Sequence, residues 1–126
     1  MSDVFTDEVM QRFKQPKNAG ELHTVNGRGK AGDPTCSDVV ELQIHFQDNR
    51  IKNAKFKVFG CPGAVATADV FIDRIKGKTI HEALTVTEDD IADMLGGLPV
   101  KSHHCAHLPM EAFRNAKKDY ERQRKK

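Results

Sequence analysis

The chain has 126 residues, of which 38% are hydrophobic and 30% are charged, a balance that favours a single compact domain (1–126) over a disordered segment. It has no apolar run near the roughly 18 residues of a membrane span and no signal-peptide pattern, so we expect a cytoplasmic protein without a membrane partner. The three cysteines are an odd number and lie far apart, which excludes a closed disulfide framework and a zinc finger with local ligand spacing.

The N-terminal quarter contains one predicted helix and a glycine-rich stretch. The helix covers Thr6–Phe13, because acidic residues open this segment and its apolar residues fall on one helical stripe. Pro16 ends it. Residues 17–32 carry four glycines and are interpreted as a loop, with a short strand around Leu22–Val25.

A period of two in the next part of the chain predicts a β-hairpin. Apolar and polar residues alternate over Val40–Phe46 and again over Ala54–Val58. This alternation indicates two antiparallel strands with one face in the core and the other in water.

The side chains also predict the register of this hairpin. Pairing Leu42 with Phe56 keeps apolar residues opposite one another and places Glu41 opposite Lys57 on the wet face. The implied loop has three residues, 48–50, with an asparagine that tolerates a left-handed conformation.

The same register brings candidate ligands together at the open end of the hairpin. It sets Ser37 opposite Cys61, so that Cys61 is flanked by Cys36 and Asp38. We therefore expect two thiols and a carboxylate to converge there.

Helical patterns follow the hairpin. Apolar residues recur at three- and four-residue steps from Cys61 to Gly77, and Gly77 is placed to end the helix. Capping-box spacing at Thr79–Glu82 and Thr87–Asp90 predicts two short helices.

A last helix is predicted from Pro109, so Cys105 also lies just before a helix start. The segment 116–126 is basic, with six basic and two acidic residues from 117 onward. We interpret it as a solvated, frayed helix end, since the chain has one Tyr and no Trp with which to stack nucleic-acid bases.

The cysteines are the candidates for chemistry. Cys36, Cys61 and Cys105 lie in junctions bounded by Gly, Pro, Ser or His, which favours metal binding or thiol chemistry over burial as small hydrophobic residues. His104 adds a nitrogen donor next to Cys105. Three thiolates with an Asp or a His suit either a tetrahedral Zn²⁺ or the outward positions of a two-iron cluster, and ligand count leaves both open.

In order and separation, these motifs resemble those of the IscU/NifU-type iron-sulfur cluster assembly scaffolds over nearly the whole chain. Phe13–Gly20 resembles the family's helix-ending proline segment, and Gly32–Asp38 its first-cysteine motif. Phe59–Ala66 resembles the second-cysteine motif, and Lys101–Tyr120 the His-Cys motif with its closing helix. The resemblance implies an α+β, SufE/NifU-type fold: a small antiparallel sheet of about three strands packed against several helices.

The resemblance also implies a function and a ligand set. Cys36, Cys61 and Cys105 are the implied cluster ligands, with Asp38 or His104 as a further ligand. Cys105 is the implied acceptor of persulfide sulfur from an IscS/NifS-like cysteine desulfurase. The chain would bind Fe²⁺, assemble a [2Fe-2S] cluster and pass it to acceptor apoproteins, as a scaffold and not an enzyme, and Zn²⁺ can occupy the same site.

Two alternatives and one departure accompany this interpretation. The first alternative is a zinc-tuned, SufU-like sulfurtransferase that accepts persulfide on Cys105 without building a cluster. The second is a structural zinc domain with a nucleic-acid-binding tail, which ranks far behind, and we expect no nucleic-acid partner. Residues 98–101 read Leu-Pro-Val-Lys where the family has Leu-Pro-Pro-Val-Lys, which argues against recognition by an Hsp70-type chaperone.

Overall fold

The computed structural model of the chain describes residues 6–33, 38–97 and 106–124. In chain order the elements are α1 (Asp7–Lys14), β1 (Gly27–Asp33), β2 (Asp38–Gln47), β3 (Arg50–Phe59), α2 (Pro62–Ile75), α3 (Ile80–Leu84), α4 (Glu88–Met94) and α5 (Leu108–Arg124). In these residues the strands form one antiparallel sheet in the order β1-β2-β3, which five helices accompany. The predicted α+β class with a small antiparallel sheet is confirmed.

The β2–β3 hairpin has the predicted register. Leu42 pairs with Phe56, and Glu41 pairs with Lys57. Both apolar partners are buried, on the face that the helices cover. The register could be predicted because a shift by one residue would have placed lysines in the core.

The predicted three-residue loop of the hairpin is wrong. Gln47 pairs with Arg50, so the loop has two residues, Asp48 and Asn49, with φ values of 56° and 63°. Such a turn matches the right-handed twist of the two strands, and Asp and Asn tolerate positive φ. A β-bulge next to Phe46 takes up the additional residue.

The predicted strand at Leu22–Val25 is wrong, and the strand of this region, β1, lies later, within the stretch interpreted as a loop. The glycines of β1 leave the space that α5 needs to pack against the strand. A Cβ on Gly29 would lie 2.0 Å from the carbonyl oxygen of Ala112 and 2.3 Å from the amide nitrogen of Ala116. The glycines therefore allow a helix to lie directly on the strand, which local sequence does not reveal.

The outer edge of β3 is covered by the segment that follows α1. The Phe56 amide donates to the carbonyl of Asn18 at 2.9 Å, and the Gly20 amide donates to the carbonyl of Phe56 at 3.0 Å. These bonds satisfy backbone groups that an edge strand would otherwise expose. They also fix the N-terminal segment to the sheet.

A buried ionic network joins α1 to α2. Arg12 contacts Asp69 at 2.7 Å, Asp73 at 2.8 Å and Glu8 at 2.8 Å, and Asp69 is fully buried. Asp69 also accepts the Asn18 amide at 2.8 Å. Burial alone would lower the pKa of Arg12, but hydrogen bonds to Asp73, Glu8 and Asp69 outweigh it, so this pKa lies above its ordinary value.

The predicted helix after Cys61 is confirmed as α2, and the chain turns away at Gly77 with a φ of +80°. Both predicted capping boxes are also present, at Thr79 and Thr87. The Thr79 backbone amide and hydroxyl donate to Glu82, which lowers the pKa of that carboxyl. At pH values above its ordinary pKa, such a carboxylate stabilises the folded state. This stabilisation is lost as the pH falls through the lowered pKa.

The closing helix α5 begins at Leu108, one residue before the predicted start, and continues to Arg124. Ala112, Phe113 and Ala116 are buried, as predicted, and Tyr120 stacks on Phe46 with ring centroids 4.5 Å apart. Within 6–33, 38–97 and 106–124, every helix is too short or too polar to span a lipid bilayer.

Candidate functional site

The candidate site lies where the first residue of β2 meets the N-terminus of α2. Asp38 is the first residue of β2, and its alternation with Val40 places it on the covered face of the sheet. It is only 4% exposed, although carboxylates are seldom buried without partners. The interactions of its two oxygens therefore define the site.

Cys61 lies against this carboxylate. Its backbone amide donates to Oδ1 of Asp38 at 3.3 Å, and its thiol donates to Oδ2 with Sγ 3.7 Å from the oxygen. Cys61 is the N-cap of α2, with an extended backbone (φ −76°, ψ 169°), and its side chain does not cap the helix. Cys61 is partly exposed, whereas Asp38 is buried.

Gly60 makes this contact sterically possible. A Cβ at this position would lie 2.5 Å from Oδ1 of Asp38 and 3.1 Å from the Cβ of Ala64. Any other residue would displace the carboxylate or the start of α2. In the sequence, the only sign of this role is the position of Gly60 beside a motif cysteine.

An exposed apolar pair borders the site on the other face of the sheet. Val39 pairs with Phe59 across β2 and β3, and their exposed fractions are 40% and 83%. Val39 directly follows Asp38 in the chain, and Phe59 directly precedes Gly60. The alternation of β3 predicts a polar residue at position 59, so the pattern does not predict this apolar rim of Val39 and Phe59.

The described part of the site offers one sulfur and one carboxylate donor. Thiolate and carboxylate ligands bind iron and zinc, and the Cys61–Asp38 pair is close enough to serve one metal centre. Over 6–33, 38–97 and 106–124, no three His, Cys, Asp or Glu side chains are grouped to hold a metal ion. The predicted ligands Cys36, His104 and Cys105 lie outside the described residues.

Comparisons with known proteins place the chain among similar sequences and folds. The model of the NifU-like N-terminal domain matches residues 4–126. Iron-sulfur cluster assembly scaffold protein IscU 1 of Archaeoglobus fulgidus is 42% identical over 117 residues, which cover 93% of this chain and 76% of that protein. IscU of Aquifex aeolicus is 37% identical over 122 residues, covering 95% and 78%.

A solved structure shares the fold. The crystal structure of the N-terminal part of a nitrogen-fixing NifU-like protein from Brucella abortus superposes with a TM-score of 0.79 and covers 96% of both chains at 18% identity. This likeness confirms the NifU-type fold that the motifs implied.

Proposed function

Since the chain belongs to the NifU-like N-terminal domain family, we propose that it is a scaffold for iron-sulfur cluster assembly. The observation that carries the proposal is the contact between Cys61 and Asp38, with the thiol sulfur 3.7 Å from a carboxylate oxygen and Cys61 partly exposed. Sulfur and oxygen donors of this kind ligate iron. The names of the similar proteins support the same role.

The proposed ligand set is Cys36, Cys61 and Cys105, with Asp38 or His104 as a further ligand. Chain length supports Cys36, because two residues of backbone span at most about 7 Å and Cys36 is two residues before Asp38. A set with one weaker ligand suits a scaffold, since the cluster must be released after it is built.

The proposed assembly is stepwise, and the cluster is its product. Fe²⁺ is bound by the thiolates and Asp38. The Cys105 thiolate attacks the outer sulfur of a persulfide on an IscS/NifS-like desulfurase, so that Cys105 becomes the persulfide and the desulfurase cysteine leaves as a thiolate. Two electrons from an external donor then reduce the sulfur–sulfur bond, releasing sulfide for a [2Fe-2S] cluster and regenerating Cys105.

The proposed partners are the desulfurase, an electron donor and acceptor apoproteins, and the proposed location is the cytoplasm. The apolar rim of Val39 and Phe59 supports contacts with proteins, because an exposed aromatic residue beside a reactive site is typical of an interaction surface. The second candidate function is the zinc-tuned sulfurtransferase, since the same sulfur and oxygen donors suit Zn²⁺.

Sulfur transfer tests the assignment of Cys105. After incubation with a cysteine desulfurase and cysteine, the protein should gain the mass of one sulfur atom, and peptide mapping should place it on Cys105. Cys105→Ser should lose this gain, whereas the matched variant Cys36→Ser should keep it. Sulfur found on another cysteine, or a gain that survives Cys105→Ser, would overturn the acceptor role.

Gly60→Ala should weaken metal binding without removing a ligand. The new Cβ would displace the Asp38 carboxylate, and misplacing a ligand through its neighbour reduces metal affinity by about tenfold or more. The measurement is a Co²⁺ titration followed by absorption. Gly32→Ala is the matched control, because its Cβ would meet no described atom closer than 3.4 Å. Equal Co²⁺ affinities for both variants would show that Gly60 does not position Asp38.

A further inference from the structure

A basic groove runs between the outer edge of β1 and the C-terminal half of α5. Its volume is about 500 Å³, and it opens to solvent. Arg28 and Lys30 line it from the strand, and Lys118 and Arg122 line it from the helix. The groove thus gathers four cations from two elements on one side of the molecule.

The carboxylates close to the groove leave most of this charge uncompensated. Glu121, which also lines the groove, forms an ion pair with Lys117 at 2.8 Å. No carboxylate that the structure describes lies within ion-pair distance of Arg28, Lys30 or Lys118. Arg122 forms an ion pair with Asp119 at 3.7 Å, so three of the four cations have no ion-pair partner among the described carboxylates. A cluster of this kind creates a positive potential that attracts an anionic partner.

The backbone edge of β1 is closed next to the groove. Asp119 accepts the amide of Arg28 at 2.9 Å, and Asn115 donates to the carbonyl of Lys30 at 2.8 Å. A partner therefore cannot bind at these two residues by adding a β-strand. Recognition has to use the charged side chains.

We infer that this groove binds an acidic segment of a partner protein, whose carboxylates contact Arg28, Lys30, Lys118 and Arg122. Within the described part of the chain no aromatic residue lines the groove, so these residues offer no stacking surface of the kind that single-stranded nucleic acid uses. Four cations spread over two elements also suit several carboxylates along a segment better than one small anion. The inference goes beyond the proposed function, because binding here requires no metal or cluster.

The position of the groove connects it with the site. Lys30 pairs with Glu41, which lies three residues along β2 from Asp38. At about 3.3 Å per residue, this distance is about 10 Å. A protein docked in the groove would therefore be within reach of the Asp38–Cys61 pair.

The test is fluorescence anisotropy with a labelled peptide of glutamate and serine at low salt, on the full chain. Lys30→Gln/Lys118→Gln should weaken binding at least about fivefold. Lys14→Gln/Lys52→Gln removes the same charge from exposed lysines outside the groove and should leave binding unchanged. Arg28→Gln/Arg122→Gln is a second groove variant in case the first one does not fold, as judged by circular dichroism.

Equal weakening by the groove and control variants would overturn the inference, because it would show attraction to net charge alone. Competition distinguishes the other anions. If inorganic phosphate or a single-stranded oligonucleotide displaces the peptide at equal or lower concentration, the groove is not specific for acidic protein segments. Displacement only by excess unlabelled peptide supports the inference. Metal-free protein should bind the peptide equally well, so failure of the scaffold proposal would not affect this result.

Discussion

Asp69→Ala should lower the free energy of unfolding by about 2 to 3 kcal/mol, because it removes a buried carboxylate that accepts hydrogen bonds from Arg12 and Asn18. Arg12 would keep its position between α1 and α2, with a side chain only 13% exposed, but would lose the 2.7 Å contact with Asp69. Asn18 would lose the acceptor of its backbone amide. Arg12 would keep Glu8 and Asp73 as partners, whereas the buried amide of Asn18 would be left without this acceptor, which costs more than the hydrogen bond itself contributes.

Chemical denaturation monitored by circular dichroism measures this effect. The matched control is Glu21→Ala, since Glu21 pairs with Lys57 on the surface and such exposed pairs contribute little. We expect the control to unfold at the same denaturant concentration as the parent protein. An Asp69→Ala variant that unfolds together with the control would show that the Arg12 network does not hold α1 on α2.

Gly29→Ala should destabilise the fold by about 3 kcal/mol or more, because the added methyl group has no space. The nearest atoms belong to the backbone of α5, at 2.0 and 2.3 Å, and a backbone cannot change rotamer to make room. The helix would have to move away from β1, which would disrupt the packing of Phe113 and Ala116 in the core.

Thermal unfolding of Gly29→Ala and Gly32→Ala compares the two positions directly. Both glycines belong to β1, but a Cβ on Gly32 would make only ordinary contacts, at 3.4 and 3.5 Å. Gly32→Ala should keep the parent melting temperature within a few degrees. If the two variants melt together, α5 does not pack on β1 as closely as described.

Sequence alone predicted those parts of the fold that depend on residues close together in the chain. The hairpin register followed from the opposed side chains, and the capping boxes followed from residues three positions apart. β1 was not predicted, because its glycines leave space for a helix more than 80 residues later in the chain. Glycines are also typical of loops. The Arg12–Asp69 pair was missed for a similar reason, since its members are 57 residues apart.

Sequence also predicted some parts of the candidate site and not others. The hairpin register predicted that Asp38 and Cys61 would meet, and the structure brings them into contact. Gly60 and the apolar rim could not be predicted in this way, because their importance depends on how closely α2 approaches β2 and on what the sheet leaves exposed. The roles of Cys36, His104 and Cys105 stay predictions from the motifs.

Anaerobic reconstitution with metal analysis tests the central claim, that this chain assembles an iron-sulfur cluster on Cys61 and its neighbours. Supplied with Fe²⁺, cysteine, a desulfurase and a reductant, the protein should develop visible cluster absorption and contain iron and sulfide in equal amounts. Cys61→Ala should lose this absorption, and His81→Ala, a change at an exposed residue, should keep it. A protein that retains zinc, accepts persulfide and stays colourless would contradict the scaffold role and support the zinc-tuned sulfurtransferase.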